Sequence, residues 1–475
     1  MRIVLVHPTG ANWVPGKKDI TATANRMAPL GLLSIAAWLE KEGNEVFVHD
    51  CLGPRMPKNN AAHAQAILSR HPDLVGFSAT TSGFLDGYEL AGRIKTARPG
   101  IQTVFGGVHI SSLGAVLLKD FEHIDFLCRG EGEVTLAELA SGRPPELIDG
   151  LVWRNNGRPA TNPPRSVLTD LDALPFPSYD KLKGFPRGYH LPLFSFVHSP
   201  GGTMVTSRGC PYQCSYCDRS VFQRSYRFNS AEYIYEHMRY LRQQFGVRHI
   251  NIYDDLFTAN RQRTTQLCEL LIRKPLGMQF NCAIRVGQTD DGLLKNLKKA
   301  GCLMLSLGIE TGDPELLEFH KPGVRADDIR VTVRQIQDNH LRVKGLFMMG
   351  LPGETEESIQ KTSDYVMSLD LDDMNMSKFT PFHGAPIWPR ISEFGTFEED
   401  WKKMNCINFV FVPKRIDSIE KLEQLYNMHV KRFYTSRQWR RKFMKRLWQH
   451  RKSLLYLLAH LPSFSAAMRN FEPDP

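Results

Sequence analysis

At 475 residues the chain is too long for one ordinary domain and predicts two or three. With 42% apolar and 23% charged residues it can bury full cores, which excludes a disordered or fibrous protein. The net charge of +10 lies almost wholly in residues 431–475, where eleven Lys/Arg face only Glu472 and Asp474, so the near-neutral body argues against a nucleic-acid-binding protein.

Residues 1–147 alternate short apolar strands with helical patterns: Ile3–His7, a helix around Leu32–Lys41, Val46–His49, a helix around Ala61–Ser69, Leu74–Phe77 and a helix around Tyr88–Ala97. Thr103–Phe105 and Ile124–Cys128 complete the series. This order predicts a doubly wound parallel sheet with helices on both faces, whose ligands sit beyond the carboxyl ends of the strands. The loops that matter are then Pro8-Thr-Gly10, Ser78-Ala-Thr80, Gly106-Gly107-Val-His109 and Gly130-Glu-Gly-Glu133.

From 148 to 198 runs a polar, Pro-rich bridge, with a hairpin at Val152–Gly157 and an extended linker at Leu174–Tyr179. Residues 199–395 return to alternation, with strands at Thr203–Thr206, His249–Asp254, Gln279–Arg285, Leu303–Glu310, Val343–Gly350 and Met374–Pro381. Six such units predict a partial (β/α)6 barrel with functional residues at the carboxyl ends of its strands. Residues 396–475 read as a helical region ending in a basic tail.

Just after the first barrel strand stand Cys210, Cys214 and Cys217, spaced C-x3-C-x2-C. Three thiolates on one loop can bind three irons of a four-iron cluster, which leaves one iron open to a chelating small molecule. A zinc knuckle would need a fourth Cys or His at ligand spacing, and none follows within the loop. Three cysteines that only pack are the remaining alternative.

This loop resembles the cluster loop of the radical S-adenosylmethionine (SAM) enzymes. The resemblance implies a [4Fe–4S] cluster on Cys210, Cys214 and Cys217, with SAM chelating the open iron and yielding a 5′-deoxyadenosyl radical. It implies that Tyr216 lies near the SAM adenine and that Asp254 and Asp255, after the second strand, receive its amino group. Arg285 ends the third strand, and Glu310, at the end of the fourth, would accept from the ribose or amino group. Gly308 would leave room for close approach, and Gly350 would border the adenine site.

The first domain resembles a cobalamin-binding domain, in which Ser78 and Thr80 after one strand and Gly106-Gly107 after the next would admit the corrin's nucleotide tail. The D-x-H-x-x-G element that supplies a cobalt-ligating histidine is absent, so cobalt would lack a histidine from that loop. The order of domains is similar to the group that includes the anaerobic magnesium-protoporphyrin monomethyl ester cyclase, hopanoid methylases and the apramycin-pathway radical dehydratase. The implied activity is a cobalamin-dependent radical SAM methyltransferase acting on an unactivated carbon of a small-molecule or lipid substrate. Cyclisation, dehydration or rearrangement with a different use of cobalamin, or none, is the rival within the group. A non-catalytic iron–sulfur or corrin sensor is the rival outside it. An electron donor such as flavodoxin or ferredoxin is the implied partner.

Nine cysteines without a disulfide framework, and an oxygen-sensitive cluster, point to the reducing cytoplasm. Met1–Pro8 is too short an apolar run for a signal peptide, and no stretch approaches the ~18 apolar residues of a membrane span. In the tail, the cations between Lys431 and Lys452 interleave with Trp439, Phe443, Leu447 and Trp448 at helical spacing. That pattern reads in three ways: a helix lying peripherally on the inner membrane face, a helix packed on the barrel with a solvated basic face, or a nucleic-acid contact. No helix-turn-helix or zinc-finger signature supports the third.

Overall fold

The computed structural model describes residues 1–10, 25–57, 59–459 and 461. Of the first loop, Ala11–Val14 lie outside the described residues, as do the tail positions after Leu461.

Strands β1 (Arg2–His7), β2 (Glu45–Asp50), β3 (Leu74–Ser78), β4 (Gln102–Gly106) and β5 (Phe126–Cys128) form a parallel sheet in the order 2-1-3-4-5. Period-two alternation distributes its side chains between two cores. Val4 and Val6 join Phe77, Phe105 and Ile94 on one face, whereas Ile3 and Leu5 join Leu32, Val104 and Leu136 on the other. Both faces are therefore apolar, as a sheet covered by helices on both sides requires. The strand order reverses between β1 and β3, which is where such sheets open a ligand crevice. The hairpin of the Pro-rich bridge, β6 (Leu151–Asn155) and β7 (Arg158–Thr161), adds antiparallel to β5 and so extends this sheet.

The second sheet comprises β8 (Gly201–Met204), β11 (His249–Ile252), β12 (Gln279–Ile284), β13 (Cys302–Glu310), β14 (Arg342–Met349) and β15 (Asp373–Lys378). It is wholly parallel, in the order β15-β14-β13-β12-β11-β8. The short antiparallel pair β9 (Ser207–Arg208) and β10 (Arg227–Phe228) stands between β8 and β11 in the chain. Side-chain caps fix where the crossover helices begin: Ser230, Asn260 and Asp290 accept from backbone N–H groups of the first turns, and Thr355 with Ser358 forms a capping box.

The basic tail folds back on the barrel. Helix Ile419–Thr435 runs along β15, with Glu423 against Lys378 at the strand's carboxyl end and Tyr434 against Asp373 at its amino end, and Arg437–Arg446 then lies at the amino ends of β14 and β15, opposite the cysteine loop. There Lys442 meets Asp370 at 2.9 Å, Arg446 meets Asp372 at 2.5 Å, and His450 lies between Arg342 and the Phe196 carbonyl. Packing on the barrel is thus the reading of the tail that the contacts bear out. No helix among the described residues is long and apolar enough to cross a membrane.

Candidate active site

The cysteine loop is closed at its base by β9 and β10. Gly209 has φ +82°, and a Cβ there would lie 2.1 Å from the Ser225 carbonyl oxygen, so glycine is required where the loop opens. Asp254 is buried directly beneath. Its Oδ1 accepts from the backbone N–H groups of Thr206 (2.5 Å) and Ser207 (3.1 Å), and its Oδ2 accepts from the Thr206 hydroxyl (2.5 Å). Arg263, itself buried, lies 3.7 Å from Oδ2 and donates to the Thr206 carbonyl. The geometry therefore corrects the expectation for Asp254: its oxygens brace the entry to the cysteine loop and are not free to take an ammonium group. Asp255 faces the other way, into the cleft described below.

Cys210, Cys214 and Cys217 are all partly accessible. Burial, followed by the charge of Asp255, pushes the Cys217 thiol up to about 12. Metal binding at such thiols must displace protons. Arg285 Nη1 lies 3.8 Å from Cys214 Sγ, its guanidinium stacks 3.8 Å over the Tyr212 ring, and Nη2 donates to the Pro322 carbonyl. The donor set, three thiols on one loop edged by a fixed cation, suits an anionic iron–sulfur cluster.

Tyr216 joins this group from the loop itself. Burial raises its hydroxyl well above the ordinary phenol value, and the charges of Glu310 and Cys214 add to the effect. Glu310 closes β13 with φ +68° and pairs with Lys321 Nζ at 2.8 Å; the same ammonium donates to the Gly308 carbonyl at 2.6 Å. A Cβ on Gly308 would lie 2.5 Å from Lys321 Nζ and 2.6 Å from Glu310 Oε1. Gly308 thus makes room for this ion pair.

Gly350, with φ +85°, follows β14, and its N–H and that of Leu351 point at Glu354 Oε2 (2.5 and 3.1 Å). Burial pushes the Glu354 carboxyl up to about 8 against those two donors. His320 links two loops of the site: Nδ1 faces the Ser215 hydroxyl at 2.6 Å and Nε2 faces the Pro352 carbonyl at 2.8 Å. Sequence reasoning missed Lys321, Glu354 and His320. His320 ends helix Pro314–His320 and Lys321 caps it, while Glu354 lies on the loop after β14; their contacts reach across a helix, a turn or more than thirty positions, so local spacing carried no signal for them.

A cleft of about 290 Å³ runs from the first sheet to the barrel. It begins at Leu5, Gly76 and Val104, passes Ser78, Gly106, Gly107 and Gly130, and ends at Arg208, Tyr253 and Asp255. Its inner end is made by missing side chains: a Cβ on Gly76 would lie 2.9 Å from Leu5 Cδ2, and one on Gly107 (φ +105°) 2.7 Å from the Ala79 carbonyl oxygen. A glycine-floored crevice at the carboxyl ends of β3 and β4 allows a ligand to approach the backbone closely. Thr80 does not line it. It is exposed and precedes the turn Thr81–Gly83, so the structure separates it from Ser78, Gly106 and Gly107.

His109 turns from the cleft to the opposite face of the sheet, against Phe84 and Trp401, where burial lowers it to about 3. Among the described residues the one histidine in the cleft lining is His237, from helix Ala231–Phe245, stacked on Phe176 at 4.8 Å.

The cleft is fastened to the cysteine loop by a buried charge network. Arg208, two residues before Cys210, donates to Glu131 at 2.6 Å and to Glu133 at 2.6 Å, both from the Gly130–Glu133 loop. Arg227 takes the other oxygen of Glu131 at 2.8 Å, and Ser34 donates to Glu133 at 2.8 Å.

Residues 204–366 match the radical SAM superfamily model, and residues 16–140 match the B12 binding domain model. The chain is a radical SAM superfamily enzyme with an amino-terminal B12-binding domain. Its cofactors are those of the two domains: a [4Fe–4S] cluster and SAM in the barrel, and cobalamin at the first sheet. Among its relatives is a Pyrococcus horikoshii protein named as an uncharacterized methyltransferase, 29% identical over 91% of this chain and 92% of that protein. Another is the anaerobic magnesium-protoporphyrin IX monomethyl ester cyclase of Rubrivivax gelatinosus, 25% identical over 92% of this chain and 78% of the cyclase. In fold it is similar to the cobalamin-dependent SAM radical enzyme OxsB solved with aqua-cobalamin and SAM, with TM-score 0.71, 17% identity, and coverage of 97% of this chain and 72% of that one.

Proposed function

We propose that this enzyme transfers a methyl group to an unactivated carbon of a small-molecule substrate, using cobalamin and two roles of SAM. The observation that carries the reading is the single cleft that joins Ser78, Gly106 and Gly107 to Asp255 beside the cysteine loop. When bound, the cluster and SAM supply a 5′-deoxyadenosyl radical, and the corrin supplies a transferable methyl group.

In this reading Cys210, Cys214 and Cys217 hold the cluster. Asp255 receives the SAM amino group, Glu310 and Tyr216 bound the nucleoside, and Gly350 borders the adenine. Arg285 offsets the negative charge at Cys214. Ser78, Gly106 and Gly107 seat the corrin's tail, without a histidine from the Pro8 loop on cobalt. Arg208 keeps the two cofactor sites in register by holding Glu131 and Glu133. A small electron donor such as flavodoxin or ferredoxin reduces the cluster.

The test is anaerobic incubation of reconstituted enzyme with cobalamin, reductant, cell extract and SAM carrying a deuterated methyl group. A metabolite that gains one labelled methyl group supports methyl transfer. Loss of water, or an isomeric product without label, assigns the enzyme to dehydration or cyclisation instead.

A specific feature supports a peripheral membrane contact as well. Met444, Trp448, Leu455 and Leu458 are 56–78% exposed, beside exposed Arg437, Arg440, Arg441, Lys445 and Arg451. No acidic residue occurs from Lys431 to Leu461. Cations around a tryptophan suit an anionic leaflet. Because this face lies opposite the cysteine loop, docking would hold the enzyme at the inner membrane face and would not feed the active site directly.

A further inference from the structure

Strand β2 ends in His49-Asp50 and runs on into Cys51. Alternation sends Asp50 to one face, where its oxygens meet His7 and Tyr189, each at 2.8 Å. His49 and Cys51 therefore share the other face. Helix Asn60–Leu68, capped by Asn59, lays His63 over that face with its side chain fully buried. His49 Nε2 lies 3.0 Å from His63 Nδ1, with the rings 5.2 Å apart and nearly perpendicular. One ligand atom from each of His49, Cys51 and His63 falls within 4.8 Å of the others.

We infer that His49, Cys51 and His63 bind a single zinc ion, separate from the cysteine loop and from the corrin cleft. None of the three residues lines that cleft. A histidine pair alone would account for the 3.0 Å contact, but not for a thiol converging on the same point.

The donors suit the metal. Two imidazole nitrogens and a sulfur at about 2.0–2.1 and 2.3 Å are an ordinary zinc set, with water in the fourth position. Two nitrogens on one tetrahedral zinc stand roughly 3.3 Å apart, so the observed pair needs to open by only a few tenths of an ångström. Neutral imidazoles carry the nitrogen lone pairs, and a thiol must lose its proton to bind. Binding is then an exchange without redox change: the thiol gives its proton to solvent and its sulfur to zinc. His49 is only half-buried, which leaves the open position within reach of water. The ion would tie the edge strand to the helix that follows it.

The test uses full-length protein carrying Cys210→Ala, Cys214→Ala and Cys217→Ala, which removes the competing thiolates, expressed with zinc and without cobalamin. After dialysis against a weak chelator, elemental analysis is expected to find about one zinc per chain, falling at least tenfold in His49→Gln and Cys51→Ser. With Co²⁺ in place of zinc, a thiolate-to-metal absorption band should appear and vanish in Cys51→Ser. His49→Gln changes a half-buried edge residue, and circular dichroism checks that it folds. The same comparison in cluster-loaded enzyme, with zinc counted separately from iron, repeats the test on the intact protein. Zinc below about a tenth of an equivalent in the parent proteins, or full zinc in folded His49→Gln, overturns the site. Neither outcome bears on the proposed reaction.

Discussion

Replacing Arg208 by Met keeps the aliphatic stem and removes the guanidinium that joins Glu131 and Glu133 to the cysteine loop. Both carboxylates are nearly buried, at 6% and 4% side-chain exposure, so the change leaves charge in a low-dielectric site. Breaking a buried pair from one side costs about 3–5 kcal/mol. Arg227 still holds one oxygen of Glu131, and Ser34 still reaches Glu133, which favours the lower end. At about 2–4 °C per kcal/mol for a domain of this size, the melting temperature should fall by roughly 6–12 °C.

The pH dependence carries a sign that packing loss alone would not produce. In the native protein burial raises the Glu133 carboxyl, and Arg208 more than reverses this, leaving it below its ordinary value. A depressed value stabilises the fold above the unfolded value and is lost as pH falls through the folded one. Without Arg208, burial is opposed only by the hydrogen bonds from the Ser34 hydroxyl and the Glu133 backbone, so the value should rise and stability should be lost as pH increases. The gap between native and Arg208→Met should therefore be widest near about pH 7.5 and narrow toward about pH 5. Adding Glu133→Gln should recover part of the loss by removing the stranded charge. Thermal unfolding of anaerobically purified protein at the two pH values is the assay. A gap under about 2 °C at the higher pH, or one that widens on acidification, would refute the reasoning.

Alanine at Cys210, Cys214 and Cys217 together should abolish both the iron–sulfur absorption and SAM cleavage to 5′-deoxyadenosine; residual cleavage above background would remove the loop from the cluster. Gly106→Leu should block cobalamin retention while SAM cleavage persists, because a Cβ there makes only ordinary contacts with Cys128, its carbonyl oxygen at 3.6 Å and its Cβ at 3.8 Å, and Gly106 lines the cleft that the larger side chain would fill; corrin bound as in the parent would count against the cleft as its site. Five exposed cations at about 1 kcal/mol each predict at least tenfold more co-sedimentation with anionic than with neutral vesicles at low salt. Trp448→Ser with Leu455→Ser should weaken it without disturbing the Asp370 and Asp372 contacts, and equal pelleting on both lipids would end the membrane reading.

What could be read from the chain was what lies close together along it. Alternating apolar runs and helical periods mark strands and helices because burial imposes periods of two and 3.6 on contiguous residues. Thus β3 and β4 end at Ser78 and Gly106, within one residue of the strand ends anticipated from pattern, and β13 ends at Glu310. The three cysteines are legible for the same reason: one loop supplies the whole set. The tail was ambiguous, since an amphipathic basic helix satisfies a membrane, an acid-edged barrel rim or a phosphate backbone equally well. Only the placement of Asp370 and Asp372 at the amino ends of the strands showed that one side of it packs on the barrel.

By itself, then, the sequence determined the two α/β units, the cysteine loop and the glycine turns, all properties of short stretches of backbone and of side-chain period. Tertiary structure decided which of two adjacent carboxylates faces the cleft. Asp254 is drawn under the loop by Thr206, Ser207 and Arg263, while Asp255 remains open. It also decided that Glu310 is held by Lys321, that Arg208 locks the two domains through Glu131 and Glu133, and that His63 meets His49 and Cys51. These outcomes depend on distances between segments that are remote in the chain or separated by a turn, and such distances are set only when the sheets and helices pack.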